Sequence, residues 1–129
     1  MEARTWTVGE LADDLGITTR TLRFYESEGL INPARTGANR VYDHRDRARM
    51  RLILRGKRFG MTLAEIREIV TMYDGAASSE RRQLEKLLAR LGEINADLEA
   101  RQRDLVRTMS EVNEVADQCR QRLAELGRK

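Results

Sequence analysis

A mainly α-helical chain, with a small helical domain interrupted by one short hairpin and followed by a single long helix, is predicted by three features of this sequence. Helix-capping residues stand ahead of apolar-periodic runs at Thr7, Thr18, Asp43 and Thr62. Between the second and third of these lies a stretch rich in turn residues, with Pro33, Gly37 and Asn39. From about Ser79 onward, apolar residues recur every seven positions with Gly92 as the one interruption, which costs about 1 kcal/mol locally relative to Ala.

The first helix is expected from about Val8 to Asp14. Thr7 and Glu10 form a capping box, and Leu11, Ala12 and Leu15 supply its inward face. Gly16 permits a tight turn and Ile17 plugs it. A second helix then starts at Thr18 and stops at Gly29, with Leu22 and Tyr25 on a packing face and Arg20, Arg23 and Glu26 on another, free to meet a partner. Two short helices joined by a Gly-containing turn, with a small residue (Ala12) where their axes cross, follow the helix-turn-helix plan, in which the second helix enters the major groove of DNA. An ordinary helical hairpin in a core is the plainer alternative. Charge distribution favours DNA: residues 20–58 carry 11 Lys or Arg against 4 Asp or Glu, a net of +7, whereas residues 1–19 come to −3 and 59–77 to −2.

Past Gly29, Pro33 blocks helix continuation and biases Asn32 toward extended backbone. Residues 34–42 read as a small hairpin whose loop residues Gly37 and Asn39 tolerate positive φ. Beside a recognition helix such a hairpin behaves as a wing. Arg35 and Arg40 would meet phosphates or a minor groove, and Tyr42 would donate to a phosphate, the plainer reading of Arg35 being a solvated loop residue. Asp43 caps a third helix running to about Phe59, with Leu52, Ile53 and Phe59 as core contacts and Gly60 as its stop. Thr62 and Glu65 form a second capping box for a fourth helix, whose apolar face is Leu63, Ile66, Ile69, Val70 and Tyr73. This pair repeats the helix-turn-helix plan, and its turn, Lys57 to Gly60, presents Lys57 and Arg58 as a second phosphate clamp. His44, near a helix start among arginines, reads as a surface or phosphate-facing residue.

Small and polar residues at 74–79 mark a joint, which places a DNA-binding domain at 1–74 and a linker with dimerisation helix and short tail at 75–129. Leu84, Leu91, Leu98, Leu105, Val112, Cys119 and Leu126 fall on one heptad position, and they define roughly 60 Å of coiled-coil helix. A stripe that long needs another helix, most simply its own copy in a homodimer. Cys119 sits in a series that otherwise holds Leu and Val, which favours a small buried hydrophobe; Arg120 and Arg122 keep a thiol sensor in view. An adaptor whose coiled coil binds another protein is the alternative of a different class.

Composition narrows the chemistry. Aromatic residues make up 5% of the 129 residues and charged residues 35%, which suits a chain with a long exposed helix better than a single compact globule. No membrane-length apolar run and no secretory leader are evident, so a cytoplasmic, nucleoid-associated protein is expected. One cysteine and one histidine offer no internal disulfide and no metal cluster, and no nucleophile or phosphate-loop motif is present, so neither enzymatic activity nor a cofactor is expected.

Thr-Val-Gly-Glu-Leu-Ala (7–12), Thr-Leu-Arg-Phe-Tyr-Glu (21–26), Gly-Leu-Ile-Asn-Pro-Ala-Arg (29–35), Asn-Arg-Val-Tyr (39–42) and the Arg-Phe-Gly-Met-Thr-Leu-Ala-Glu-Ile run (58–66) together resemble the MerR family of bacterial transcription regulators, almost continuously over residues 5–73. The resemblance implies a winged helix-turn-helix domain on an antiparallel coiled-coil dimer. Each subunit would read half of a palindromic promoter whose long spacer is kinked and untwisted for RNA polymerase. By motif position it implies recognition-helix contacts from Thr19, Arg20, Arg23 and Tyr25, wing contacts from Arg35, Arg40 and Tyr42, and phosphate contacts from Lys57 and Arg58. Where the family has Gly-Tyr before the wing arginine, this chain has Ala38-Asn39. A single cysteine sets the chain apart from members that sense metals or carry an iron–sulfur cluster. Residues 52–60, 72–75 and 119–120 resemble short members controlling leucine, isovalerate and fatty-acid degradation, which implies an acyl-CoA or related metabolite as effector.

Overall fold

The computed structural model describes residues 4–75 and 80–128. Five helices and one hairpin follow in the order α1 (Val8–Leu15), α2 (Thr19–Ser27), β1 (Ala34–Thr36), β2 (Asn39–Val41), α3 (His44–Arg58), α4 (Leu63–Tyr73) and α5 (Glu80–Gly127). The chain divides into two compact units, Met1–Leu87 and Leu88–Lys129. Of the joint expected over 74–79, residues 76–79 lie outside the described residues.

Each of α1 to α4 begins where a side chain replaces a missing intrahelical partner. Thr7 Oγ1 accepts from the Glu10 amide at 3.2 Å while Glu10 returns a carboxylate to the Thr7 amide at 2.8 Å. Thr62 with Glu65 and Asp43 with Asp46 repeat the arrangement on α4 and α3. Hydrogen bonding to the Thr7 amide and hydroxyl holds the Glu10 carboxyl below the usual range. Thr18 caps α2, accepting from the Thr21 amide at 3.1 Å. At its other end Gly29 takes φ 75°, and the Leu30 amide reaches back to the Tyr25 carbonyl at 3.1 Å. That six-to-one bond turns the chain sharply out of α2 and into the hairpin.

β1 and β2 pair antiparallel with Ala34 opposite Val41, Arg35 opposite Arg40 and Thr36 opposite Asn39, so Gly37 and Ala38 form the loop. Gly37 has φ 65° and no other residue type among the described residues has positive φ. Asn39, expected in the loop, is therefore a strand residue, because the two-residue turn already closes with a single positive φ at Gly37. The hairpin is not left to stand alone. Trp6 and Tyr42 exchange two backbone hydrogen bonds of 2.8 and 2.9 Å, which adds the segment before α1 as a third bridge.

The core of this unit gathers Trp6, Leu11, Leu22, Tyr25, Ile31, Tyr42, Met50, Ile53, Ile66 and Val70, all buried. Ion pairs tie its elements. Arg47 of α3 meets Asp14 of α1 at 2.6 Å, a hydrogen bond that holds the Asp14 carboxyl below its usual range. Arg67 of α4 donates to the Glu28 carbonyl at the end of α2, at 2.9 Å. Arg49 of α3 bridges Asp74 at 2.9 Å and the buried Asp46 at 3.9 Å. Burial pushes the Asp46 carboxyl up, while the amide it offers to Asp43 pulls that carboxyl down.

Two expected core residues are placed elsewhere. Phe59 is the C-cap residue of α3 and 42% exposed, and Tyr73 at the last turn of α4 is 49% exposed, so both lie at helix ends where packing is incomplete. Gly56, by contrast, is buried at the α3–α4 crossing, where an added Cβ would lie 3.0 Å from Ile66 Cγ1. Gly56→Ala gains at most about 1 kcal/mol of helix propensity and incurs about 1–3 kcal/mol of overpacking against the buried Ile66 side chain. Net destabilisation on the order of 1 kcal/mol, read as a lower urea midpoint at unchanged slope, is expected.

Helix α5 is continuous over 48 residues, through Gly92. Of its heptad residues, Leu98 is 50%, Leu105 61%, Val112 60% and Leu126 50% exposed in the single chain.

Candidate nucleic-acid interface

The second unit of the helix-turn-helix pair, α2, buries Leu22 and Tyr25 and turns Thr19, Arg20, Arg23 and Phe24 outward. Arg20 and Arg23 have no anionic partner among the described residues, so their charge is available to a ligand. Phe24 is 48% exposed and stands one helical turn from Arg20. Phe24 is not among the contacts that the sequence predicts. Its spacing from Arg20 is the signal in the sequence: four residues apart, the two share one exposed face of α2.

Tyr25, expected as a recognition contact, is 3% exposed and belongs to the core: three residues on from Leu22 it lies on the helix face that packs. Tyr42 is corrected in the same way. Its side chain is fully buried, its hydroxyl has no hydrogen-bond partner, and burial followed by the charge of Glu26 raises its pKa. A phenol so placed does not donate to a phosphate. Tyr42→Phe is accordingly expected to leave DNA affinity within twofold and stability unchanged or slightly higher, since it removes an unsatisfied buried hydroxyl; parallel binding titrations and thermal melts check both.

Glu26, expected on the open face, points at the wing with its side chain 15% exposed. Arg40 Nε donates to Glu26 Oε1 at 2.8 Å, and Arg35 Nη2 lies 3.9 Å from the same oxygen. This pairing raises the pKa of Arg40. Of the two wing cations, Arg35 keeps 59% of its side chain exposed and Arg40 keeps 29%.

Lys57 and Arg58 occupy the last turn of α3 rather than the turn after it, and both are exposed and unpaired among the described residues. Cations there complement the partial negative charge of a helix C-terminus. Further along α3, Arg47, Arg51 and Arg55 stand on successive turns and, with His44, Leu52 and Tyr73, line an open groove of about 360 Å³. Arg51 and Arg55 are also unpaired among the described residues. His44 itself is exposed and packs edge-on against Trp6, ring centroids 5.0 Å apart. No helix among the described residues is long and apolar enough to cross a membrane.

Comparison with known proteins agrees with this geometry. Residues 6–73 match the MerR helix-turn-helix regulatory protein family and residues 47–115 the MerR DNA-binding family. The nodulation protein NolA of Bradyrhizobium diazoefficiens is 36% identical over 86 residues, which are 65% of this chain and 36% of NolA. The chain thus spans well under half the length of that relative. The mercuric resistance operon regulatory protein of Bacillus cereus is 30% identical over 114 residues, 87% of this chain and 83% of that protein. HiNmlR, a MerR family regulator lacking the sensor domain and solved bound to promoter DNA, superposes with a TM-score of 0.69 at 26% identity, covering 79% of each chain. With its tandem helix-turn-helix pairs, wing and long terminal helix, the chain belongs to the MerR family of transcriptional regulators.

Proposed function

We propose that this MerR-type regulator works as a homodimer on a palindromic promoter with a long spacer, residues 1–74 holding the DNA and residues 75–129 pairing the subunits through an antiparallel coiled coil. One observation carries the reading: α2 presents Arg20 and Arg23 exposed and unpaired, in a chain whose 48-residue α5 leaves a stripe of Leu and Val uncovered. In this reading Thr19, Arg20, Arg23 and Phe24 meet base edges and flanking phosphates, Arg35 meets a phosphate, and Lys57 and Arg58 clamp the backbone further along. Two half-sites held by one rigid dimer force the intervening duplex to bend or untwist, and this deformation is the step by which RNA polymerase would gain a usable promoter in the bacterial cytoplasm.

The effector in this proposal is a small anionic metabolite such as an acyl-CoA. The groove on α3 supports an anion, because the guanidinium groups of Arg51 and Arg55, on successive turns and without an ion pair among the described residues, stand beside Leu52 and the Tyr73 ring and suit a ligand that joins phosphates to an apolar body, while Arg47 is held by Asp14. Transcription in vitro from DNA upstream of the gene and its neighbours, with purified polymerase and a panel of short-chain acyl-CoA thioesters, tests the whole reading. A thioester-dependent change in transcript supports it, and DNA binding with no thioester response discards the effector class while keeping the regulator. The thiol- or aldehyde-responsive alternative rests on Cys119, which is exposed in the single chain but shares the stripe that pairing would cover. A Cys119→Ser variant with full response removes that alternative.

A further inference from the structure

The wing carries an arrangement that strand pairing alone disfavours. Arg35 and Arg40 stand directly opposite each other across the hairpin, and like charges in that position repel. A third group resolves the repulsion. Glu26, on α2 between the groove-facing Arg23 and the helix end, sends its carboxylate into the joint, where it accepts from Arg40 at 2.8 Å and lies 3.9 Å from Arg35. Little of this carboxylate reaches solvent, its Oε2 being fully covered, and the closed phenol of Tyr42 lies under its field. The cluster thus contains two cations and one anion at the seam between α2 and the wing.

On the reading of this chain as a DNA-binding regulator, we propose that Glu26 is a positioning residue that sets the wing arginines against α2 and thereby raises discrimination between the operator and other DNA. It acts in two ways. With Arg40 held to α2, the wing meets a phosphate only where the helix is in register with its bases, so phosphate contact and base contact are gained together. Glu26 also withholds one positive charge from the polyanion, which lowers the sequence-independent affinity that comes from counterion release.

The test uses the full chain, a short duplex enriched from a random library by the parent protein, and a second duplex of the same composition in scrambled order. Binding to each is measured by fluorescence anisotropy over about 50–400 mM KCl. In Glu26→Gln, which keeps the shape and loses the charge, scrambled-duplex affinity should rise several-fold at low salt. The salt slope should steepen by about 0.9, the value for one further phosphate contact. The enriched-to-scrambled affinity ratio should fall about tenfold, the loss of one good contact. Adding Arg40→Gln to that variant should return the slope to the parent value, because the released cation is gone. Arg40→Lys, which keeps the charge and loses the Nε donor, should lower the ratio without changing the fold, and it decides the matter if Glu26→Gln melts before it binds. An unchanged ratio and slope in these variants overturns the proposal, as does a proportional loss of affinity for both duplexes, which would make Glu26 a purely structural residue. A parent protein that enriches no duplex overturns the DNA-binding reading itself and the proposal with it.

Discussion

Arg23→Ala is expected to weaken operator binding by about 1–3 kcal/mol, roughly five- to 150-fold, and to relax preference at one base pair while leaving others intact. The size follows from what the side chain has free. Arg23 is exposed on α2, has no carboxylate partner among the described residues, and sits on a helix fixed from beneath by Leu22 and Tyr25 and at its end by the Arg67–Glu28 bond. A guanidinium that loses no ion pair on binding keeps the full benefit of a bidentate contact to guanine. Arg58→Ala is the matched control. It removes an exposed cation from the end of α3, so affinity should fall uniformly across sequences and the salt slope should flatten by about 0.9. Binding of each variant to a library of single-base operator substitutions, at two salt concentrations, separates the two patterns. If Arg23→Ala shifted all sequences equally, Arg23 would be a phosphate contact and base reading would fall to Arg20 and Phe24.

What the chain discloses about itself divides along contact range. The caps at Thr7, Thr18, Asp43 and Thr62 are each satisfied within three residues, so their local sequence is enough to start α1 to α4 correctly. Gly37 likewise dictates its own turn. The features that escaped sequence reading depend on partners far along the chain. Trp6 carries no periodic or capping signal, and its place in the core follows from a backbone bridge to Tyr42, 36 positions later. Glu26 lies on the helix face that would be open on an isolated α2; the wing closes that face only because Leu30 bonds back to Tyr25 and aims the chain toward it. Tyr25 and Tyr42 illustrate a different ambiguity. A tyrosine beside basic residues suits a phosphate and a core equally well by composition, and three-dimensional packing decides. Phe24 and Phe59 are the converse, apolar rings that the fold leaves about half in solvent.

Leu105→Asp is expected to abolish self-association, with a sedimentation mass falling from twice the 14.9 kDa chain to the single chain, and to weaken operator binding by at least a hundredfold. In the single chain Leu105 is 61% exposed and Val112 60%, part of a stripe that continues at Leu123 (68%) and Leu126 (50%). Such a stripe is stable in water only when paired, and a carboxylate at its centre would lie on both chains of a symmetric dimer, so its desolvation cost of several kcal/mol enters twice. Loss of pairing then removes the second half-site's contribution, because a linked site binds at an effective concentration that a free monomer does not have. Cys119 reports strand direction in the same experiment. Parallel pairing sets the two thiols side by side, and mild oxidation would link them. Antiparallel pairing about Leu105, the middle of the seven heptad positions, holds them about 40 Å apart, fourteen residues on either side of the dyad at about 1.5 Å each. Oxidation should therefore leave the parent dimer free of a disulfide while Leu105→Cys cross-links at the dyad. A parent protein that sediments as a single chain would leave the stripe for a different partner, and with it the adaptor reading of α5.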